Sequence, residues 1–104
     1  MRIIFDQGVP VPLRRSLEQH LVETVFELGW SELKNGDLLE VAEQSFDLLV
    51  TTDQQIKYQQ NLAGRRLAIL VLSTSWPRIR LQSKEICDVV NRISPGDYIE
   101  VTVR

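Results

Sequence analysis

The chain has little of the chemistry that most often announces a function: one cysteine (Cys87), one histidine (His20) and one methionine in 104 residues. A single thiol closes no internal disulfide, so a bridged scaffold is excluded and a reducing compartment, the cytoplasm, is expected. One histidine supports no triad, because no partner stands at recognisable spacing. The longest apolar run, Leu67 to Leu72, falls far short of the ~20 residues a membrane helix requires. The opening Met1-Arg2-Ile3-Ile4-Phe5 meets Asp6, and neither a leader nor a membrane anchor is expected. Phosphate-binding glycine loops are also missing: the turn from Asp6 to Pro10 is too short to cradle a dinucleotide.

What is present is a balance of 43% hydrophobic and 25% charged residues with only 5 Gly and 4 Pro, which fits one folded domain spanning residues 1–104. The net charge of −2 conceals a division along the chain. Residues 1–53 carry 4 Lys/Arg against 10 Asp/Glu. Residues 54–84 carry Lys57, Arg65, Arg66, Arg78, Arg80 and Lys84 and no acid. One reading is an unevenly charged surface; the sharper one is a basic rim that guides a polyanion toward carboxylates of the first half.

Apolar periodicity places the elements. Ile3 to Phe5 reads as a strand closed by Asp6, Gly8 and Pro10, and Pro12 opens a short helix carrying Leu13 and Leu17. Leu21 to Val25 reads as a second strand, and Asn35 as the N-cap of a helix over Gly36 to Gln44. Phe46 to Thr52 and Leu67 to Leu72 suit central strands buried on both faces. Gln54 to Leu62 reads as a helix ending at Gly64, and Ile79, Ile86, Val89, Val90 and Ile93 give a last helix. In the closing strand Ile99, Val101 and Val103 alternate with Tyr98, Glu100 and Thr102. This alternation predicts an α/β domain: a mostly parallel five-stranded sheet with helices on both faces, its ligand site outside the carboxyl ends of the strands.

Three acids fall at such ends. Asp6 follows the first strand, Asp53 follows the middle one, and Asp37 opens the helix leading into that middle strand. Each has an ordinary structural explanation, as turn former, cap or helix-dipole partner. Together at one edge they form a set of hard oxygen donors of the kind that holds Mg²⁺ or Mn²⁺, and such an ion assists displacement at phosphorus.

These residues also carry a resemblance. Phe5-Asp6 after a first strand, the helix start at Asp37 and Leu49-Val50-Thr51-Thr52-Asp53 look like the three signatures of the PIN domain. The stretches Phe5 to Pro10, Gly29 to Glu43, Phe46 to Asp53, Tyr58 to Arg65 and Ser75 to Pro77 resemble those of a small bacterial PIN-like family of unknown function, within the PIN or VapC-type nuclease superfamily. That resemblance spans nearly the whole chain. It implies a three-layer PIN-like fold, a metal-dependent endoribonuclease, Asp6, Asp37 and Asp53 as catalytic and metal-binding acids, and Mg²⁺ or Mn²⁺ as cofactor. It further implies RNA as substrate and, for a toxin of a toxin–antitoxin pair, an antitoxin protein as partner; self-association stays open. The chain departs from the PIN pattern in two places: no helical acid intervenes between Asp6 and Asp37, and Gln55 stands where a further carboxylate is common. Those departures favour an alternative reading, a catalytically silent module that binds a protein or nucleic acid.

The remaining candidates are subsidiary. Lys57, Arg65, Arg66, Arg78 and Arg80 are the expected contacts to a nucleic-acid backbone, and Gln7, Asn35, Gln60 and Asn61 the expected polar edge of the site. Cys87 between apolar helix residues reads as a small core hydrophobe. Trp30 and Trp76 read as packed hinges sooner than as base-stacking platforms.

Overall fold

The computed structural model describes residues 1–59, 62, 64–73 and 82–102, the side chains of 58 and 59 excepted. Five strands form the sheet: β1 (Arg2–Phe5), β2 (Leu21–Thr24), β3 (Leu48–Thr51), β4 (Ala68–Leu72) and β5 (Tyr98–Val101). Their order is β2-β1-β3-β4-β5, and every neighbouring pair is parallel. The register aligns Ile4 with Glu23 on one side and Leu49 on the other, then Leu49 with Ile69 and Ile69 with Tyr98.

Because successive strand side chains point to opposite faces, the sheet feeds two cores. Ile3, Phe5, Leu48, Val50, Leu70 and Leu72 face a layer made by a 3₁₀ helix (Val11–Leu17) and a helix near the C-terminus, which contribute Leu13, Leu17, Ile86 and Val90. Ile4, Leu49, Ile69 and Val71 face the other layer. That layer holds α1 (Val25–Leu28), α2 (Asn35–Ser45) and α3 (Ile56–Gln59), whose Val25, Leu38, Leu39, Ala42 and Ile56 are buried. The late helix is α4 (Ser83–Arg92). The result is the three-layer α/β arrangement expected, with a sheet that is parallel throughout. No helix among the described residues is long and apolar enough to cross a membrane.

Four local readings are refined. The segment after Pro10 winds as a 3₁₀ helix, its Leu13 N–H donating to Pro10 O at 3.1 Å, in a stretch where Pro10 and Pro12 lack donors. The second strand stops at Thr24, because Thr24 and Glu27 form a reciprocal cap on α1: Thr24 Oγ1 accepts from Glu27 N–H at 3.1 Å and Glu27 Oε1 from Thr24 N–H at 2.9 Å. Gly29, at φ 74°, ends α1 in the left-handed region that glycine enters without strain. The N-cap of α2 is Lys34 and not Asn35, since Lys34 O accepts the first helical bond, from Leu38 N–H at 2.8 Å. Asn35 is the first helical residue instead, with its side chain bonded elsewhere. Of the helix expected over Gln54 to Leu62, α3 covers Ile56–Gln59; Ile79 and the start of the last predicted helix lie outside the described residues.

Candidate active site

Parallel strands bring all their carboxyl ends to one edge. There the chain runs from β1 outward to β2 and then returns past β1 to β3, so the direction of winding reverses between β1 and β3. Crevices at such reversals are where open α/β sheets bind ligands. Asp6 follows β1 and Asp53 lies two residues beyond β3, on either side of that reversal.

One buried hydroxyl links the two residues, bonded to the carboxylate of Asp6 and to the backbone N–H of Asp53. Asp6 extends the ladder past Phe5, its N–H donating to Val50 O at 2.9 Å. Its Oδ1 accepts from Gln7 N–H at 2.8 Å and its Oδ2 from Thr51 Oγ1 at 2.9 Å. Thr51 is 0% exposed, and its Oγ1 accepts from Asp53 N–H at 3.1 Å. With a lone pair so engaged, its proton is directed to Asp6. The Asp53 carboxylate is anchored by Gln55 N–H on Oδ1 at 2.9 Å and by Asn35 Nδ2 on Oδ2 at 2.5 Å.

These groups border a cleft of about 570 Å³. One wall is Asp6, Gln7 and Gly8, a second Thr52 and Asp53, a third Leu33, Lys34 and Asn35 from the start of α2. The first two walls meet so closely that a Cβ on Gly8 would lie 2.0 Å from Thr52 Oγ1. Any side chain at position 8 would therefore displace that of Thr52.

The expected site residues divide three ways. Asp6, Asp53, Gln7 and Asn35 line the cleft together. Asp37, exposed in the first turn of α2, does not line it, and among the described residues no group of three or more His, Cys, Asp or Glu side chains is placed to hold a metal ion. Arg65 and Arg66 precede β4 and so sit at the opposite edge of the sheet, where Arg65 Nη1 pairs with Glu43 Oε2 at 3.3 Å and Arg66 N–H donates to Glu43 Oε1 at 2.8 Å. Parallel topology separates these two arginines from the carboxylates, which corrects the expectation of one continuous basic rim. Lys57 reaches toward β5, its Nζ 3.2 Å from Glu100 Oε1 and 5.8 Å from the centre of the Tyr98 ring. Gln60, Asn61, Arg78, Arg80 and Trp76 lie outside the described residues.

Sequence reasoning passed over Lys34, the one cation lining the cleft among the described residues, and Thr51, the hydroxyl between the acids. A threonine inside an otherwise apolar strand run was the available signal for the latter. Trp30 packs edge-on against Phe46, ring centres 6.2 Å apart, as a hinge residue would. A second cleft of about 610 Å³ lies at the opposite edge among Arg2, Glu43, Phe46, Asp47, Arg66 and Ile93; it is the larger, but it stands at the amino ends of the strands, away from the edge where open α/β sheets bind ligands. Compared with protein-family models, with curated proteins and with solved structures, the chain finds no match in any of the three.

Proposed function

We propose that the protein is a metal-dependent phosphodiesterase of the PIN-like kind, acting on RNA at the β1–β3 cleft. The observation that carries this reading is the pair Asp6 and Asp53, converged at the winding reversal and linked through Thr51. The donor set fits a hard divalent cation: it is all oxygen, and Mg²⁺ commonly takes one or two carboxylates with water and substrate phosphate completing its shell. Asp6 and Asp53 would hold Mg²⁺ or Mn²⁺, with Asp37 outside the set. When bound, such an ion lowers the pKa of water and offsets charge on phosphorus during in-line displacement.

The chain's own residues prepare that chemistry. The Thr51 hydroxyl and the backbone N–H of Gln7 fix the Asp6 carboxylate, and the backbone N–H of Gln55 fixes that of Asp53, before any ligand arrives, so little reorganisation accompanies binding. Lys34, exposed on the third wall, supplies a positive charge to a phosphate entering the cleft. Gly8 and Thr52 set how near a sugar-phosphate backbone approaches the acids.

A second reading, a silent module that binds protein or nucleic acid, draws on the same cleft holding two acids where three were expected. In either case an antitoxin that covers the cleft would act by occupying Asp6 and Lys34, and a reducing cytoplasm suits the unpaired Cys87. The experiment is calorimetric titration with Mn²⁺ alongside cleavage of a mixed RNA pool. Wild type is expected to bind and cleave, Asp53→Asn to do neither, and charge reversal at Arg65 and Arg66 to leave Mn²⁺ binding unchanged. Binding of RNA without Mn²⁺ uptake or cleavage would establish the silent module instead.

A further inference from the structure

We infer that Asn35, and not Asp37, is the contribution of α2 to this site, as the positioning residue that holds Asp53 in the orientation a divalent cation requires. The inference rests on the metal-site reading above and assigns a role to a residue that touches a carboxylate rather than the cation.

The geometry of the helix start decides between the two side chains. Successive helical residues are about 100° apart, so residues two apart lie about 200° around the axis. Asn35 faces the cleft and donates from Nδ2 to Asp53 Oδ2 at 2.5 Å. Asp37, two residues on, is thereby turned to another side of α2, and it is exposed. For Asp37 to reach an ion held by Asp53 the helix would have to rotate, and its rotation is fixed by Leu38, Leu39 and Ala42, which are 1%, 0% and 0% exposed in the core.

An amide here does what a third carboxylate would not. It donates, so it binds Asp53 without adding negative charge beside it, and with Gln55 N–H on Oδ1 it pins the carboxylate from both ends. An ionised carboxylate oxygen accepts more than one hydrogen bond, so Oδ1 and Oδ2 each keep acceptor capacity for a cation. The bond also seats an anionic group beside the N-terminus of α2, whose cap Lys34 supplies no side-chain acceptor, and negative charge is favoured at that end of a helix. Partners that orient a ligating side chain are worth about 10- to 100-fold in metal affinity.

The test is Mn²⁺ titrated into wild type, Asn35→Ala, Asn35→Gln and Asp37→Asn, read by calorimetry and by the paramagnetic resonance signal of unbound Mn²⁺, with metal-free thermal midpoints measured in parallel. Asn35→Ala is expected to bind about 10- to 100-fold more weakly. Asn35→Gln, which keeps the donor on a longer arm, should recover part of that loss. Asp37→Asn should stay within about threefold of wild type, an ordinary surface effect. Wild-type affinity in Asn35→Ala, no recovery in Asn35→Gln, or a loss in Asp37→Asn equal to that in Asn35→Ala would each overturn the assignment while leaving the metal site standing. If wild type takes up no Mn²⁺, the metal-site reading fails and this role fails with it. Should Asn35→Ala not fold, Asn35→Gln against Asp37→Asn decides in its place, since only the former is expected to weaken binding.

Discussion

Replacing Thr51 by valine removes one oxygen and almost no volume, so its effect isolates the hydroxyl that joins the two site acids. Thr51 is 0% exposed. Its Oγ1 accepts from Asp53 N–H at 3.1 Å and donates to Asp6 Oδ2 at 2.9 Å. Loss of a neutral hydrogen bond costs about 0.5–1.5 kcal/mol and of one to a charged group about 1.5–3 kcal/mol. Asp6 is only half-buried, so water recovers part of the second term, while the added methyl returns up to about 0.8 kcal/mol. The expected net destabilisation is about 2 kcal/mol, or roughly 8–16 °C in the thermal midpoint of a chain this size. Thr51→Ser keeps both bonds and gives up only a methyl, at about 1 kcal/mol. Urea unfolding of both variants without metal measures the difference directly. A Thr51→Val protein within about 0.5 kcal/mol of wild type, or one more stable than Thr51→Ser, would refute the hydroxyl bridge.

Gly8→Ala places a Cβ 2.0 Å from Thr52 Oγ1; the Thr52 side chain must turn away or the loops must separate, at about 1–3 kcal/mol as for other overpacked sites, and Gly8→Ala with Thr52→Ala should be more stable than Gly8→Ala alone by the same unfolding assay. Acid sensitivity follows from two exposed glutamates. Hydrogen bonding from Arg14 holds the Glu27 carboxyl below the ordinary glutamate range, and that from Tyr98, then Lys57, does the same for Glu100. A folded value below the unfolded one means that the stabilisation is present above about pH 4.3 and is lost as pH falls through the lower, folded values. Glu27→Gln and Glu100→Gln together should therefore flatten the acid limb of the thermal midpoint below about pH 4.3, and an unchanged limb would show that neither pairing persists in solution.

The sheet was legible because its code is local. Leu67 to Leu72 and Leu48 to Thr51 are buried on both faces, so their unbroken apolar runs announce central parallel strands without any knowledge of neighbours. Ile99 and Val101 pack on the α4 side while Glu100 stays exposed, the alternation an edge strand displays. What escaped was also local but had two meanings. Thr24-Val25-Phe26-Glu27 reads equally as the end of a β-branched strand and as a capping box, and only the reciprocal hydrogen bonds of Thr24 and Glu27 decide for the latter.

The site divides along a different line. Asp6 and Asp53 were legible because a residue just past a parallel strand must stand at the carboxyl edge, whatever the rest of the chain does. The basic segment was not, because charge summed along sequence ignores the direction in which each residue enters the sheet. Arg65 and Arg66 come before β4 and Asp53 comes after β3; in parallel strands, before and after are opposite ends. The same reasoning explains why Lys34 went unnoticed. It belongs to the acidic half of the chain, yet it precedes a helix that runs back toward the amino ends of the strands, so the start of that helix stands at the carboxyl edge, beside the acids. In this fold a residue's place before or after its element predicts its partners better than the charge of the segment around it.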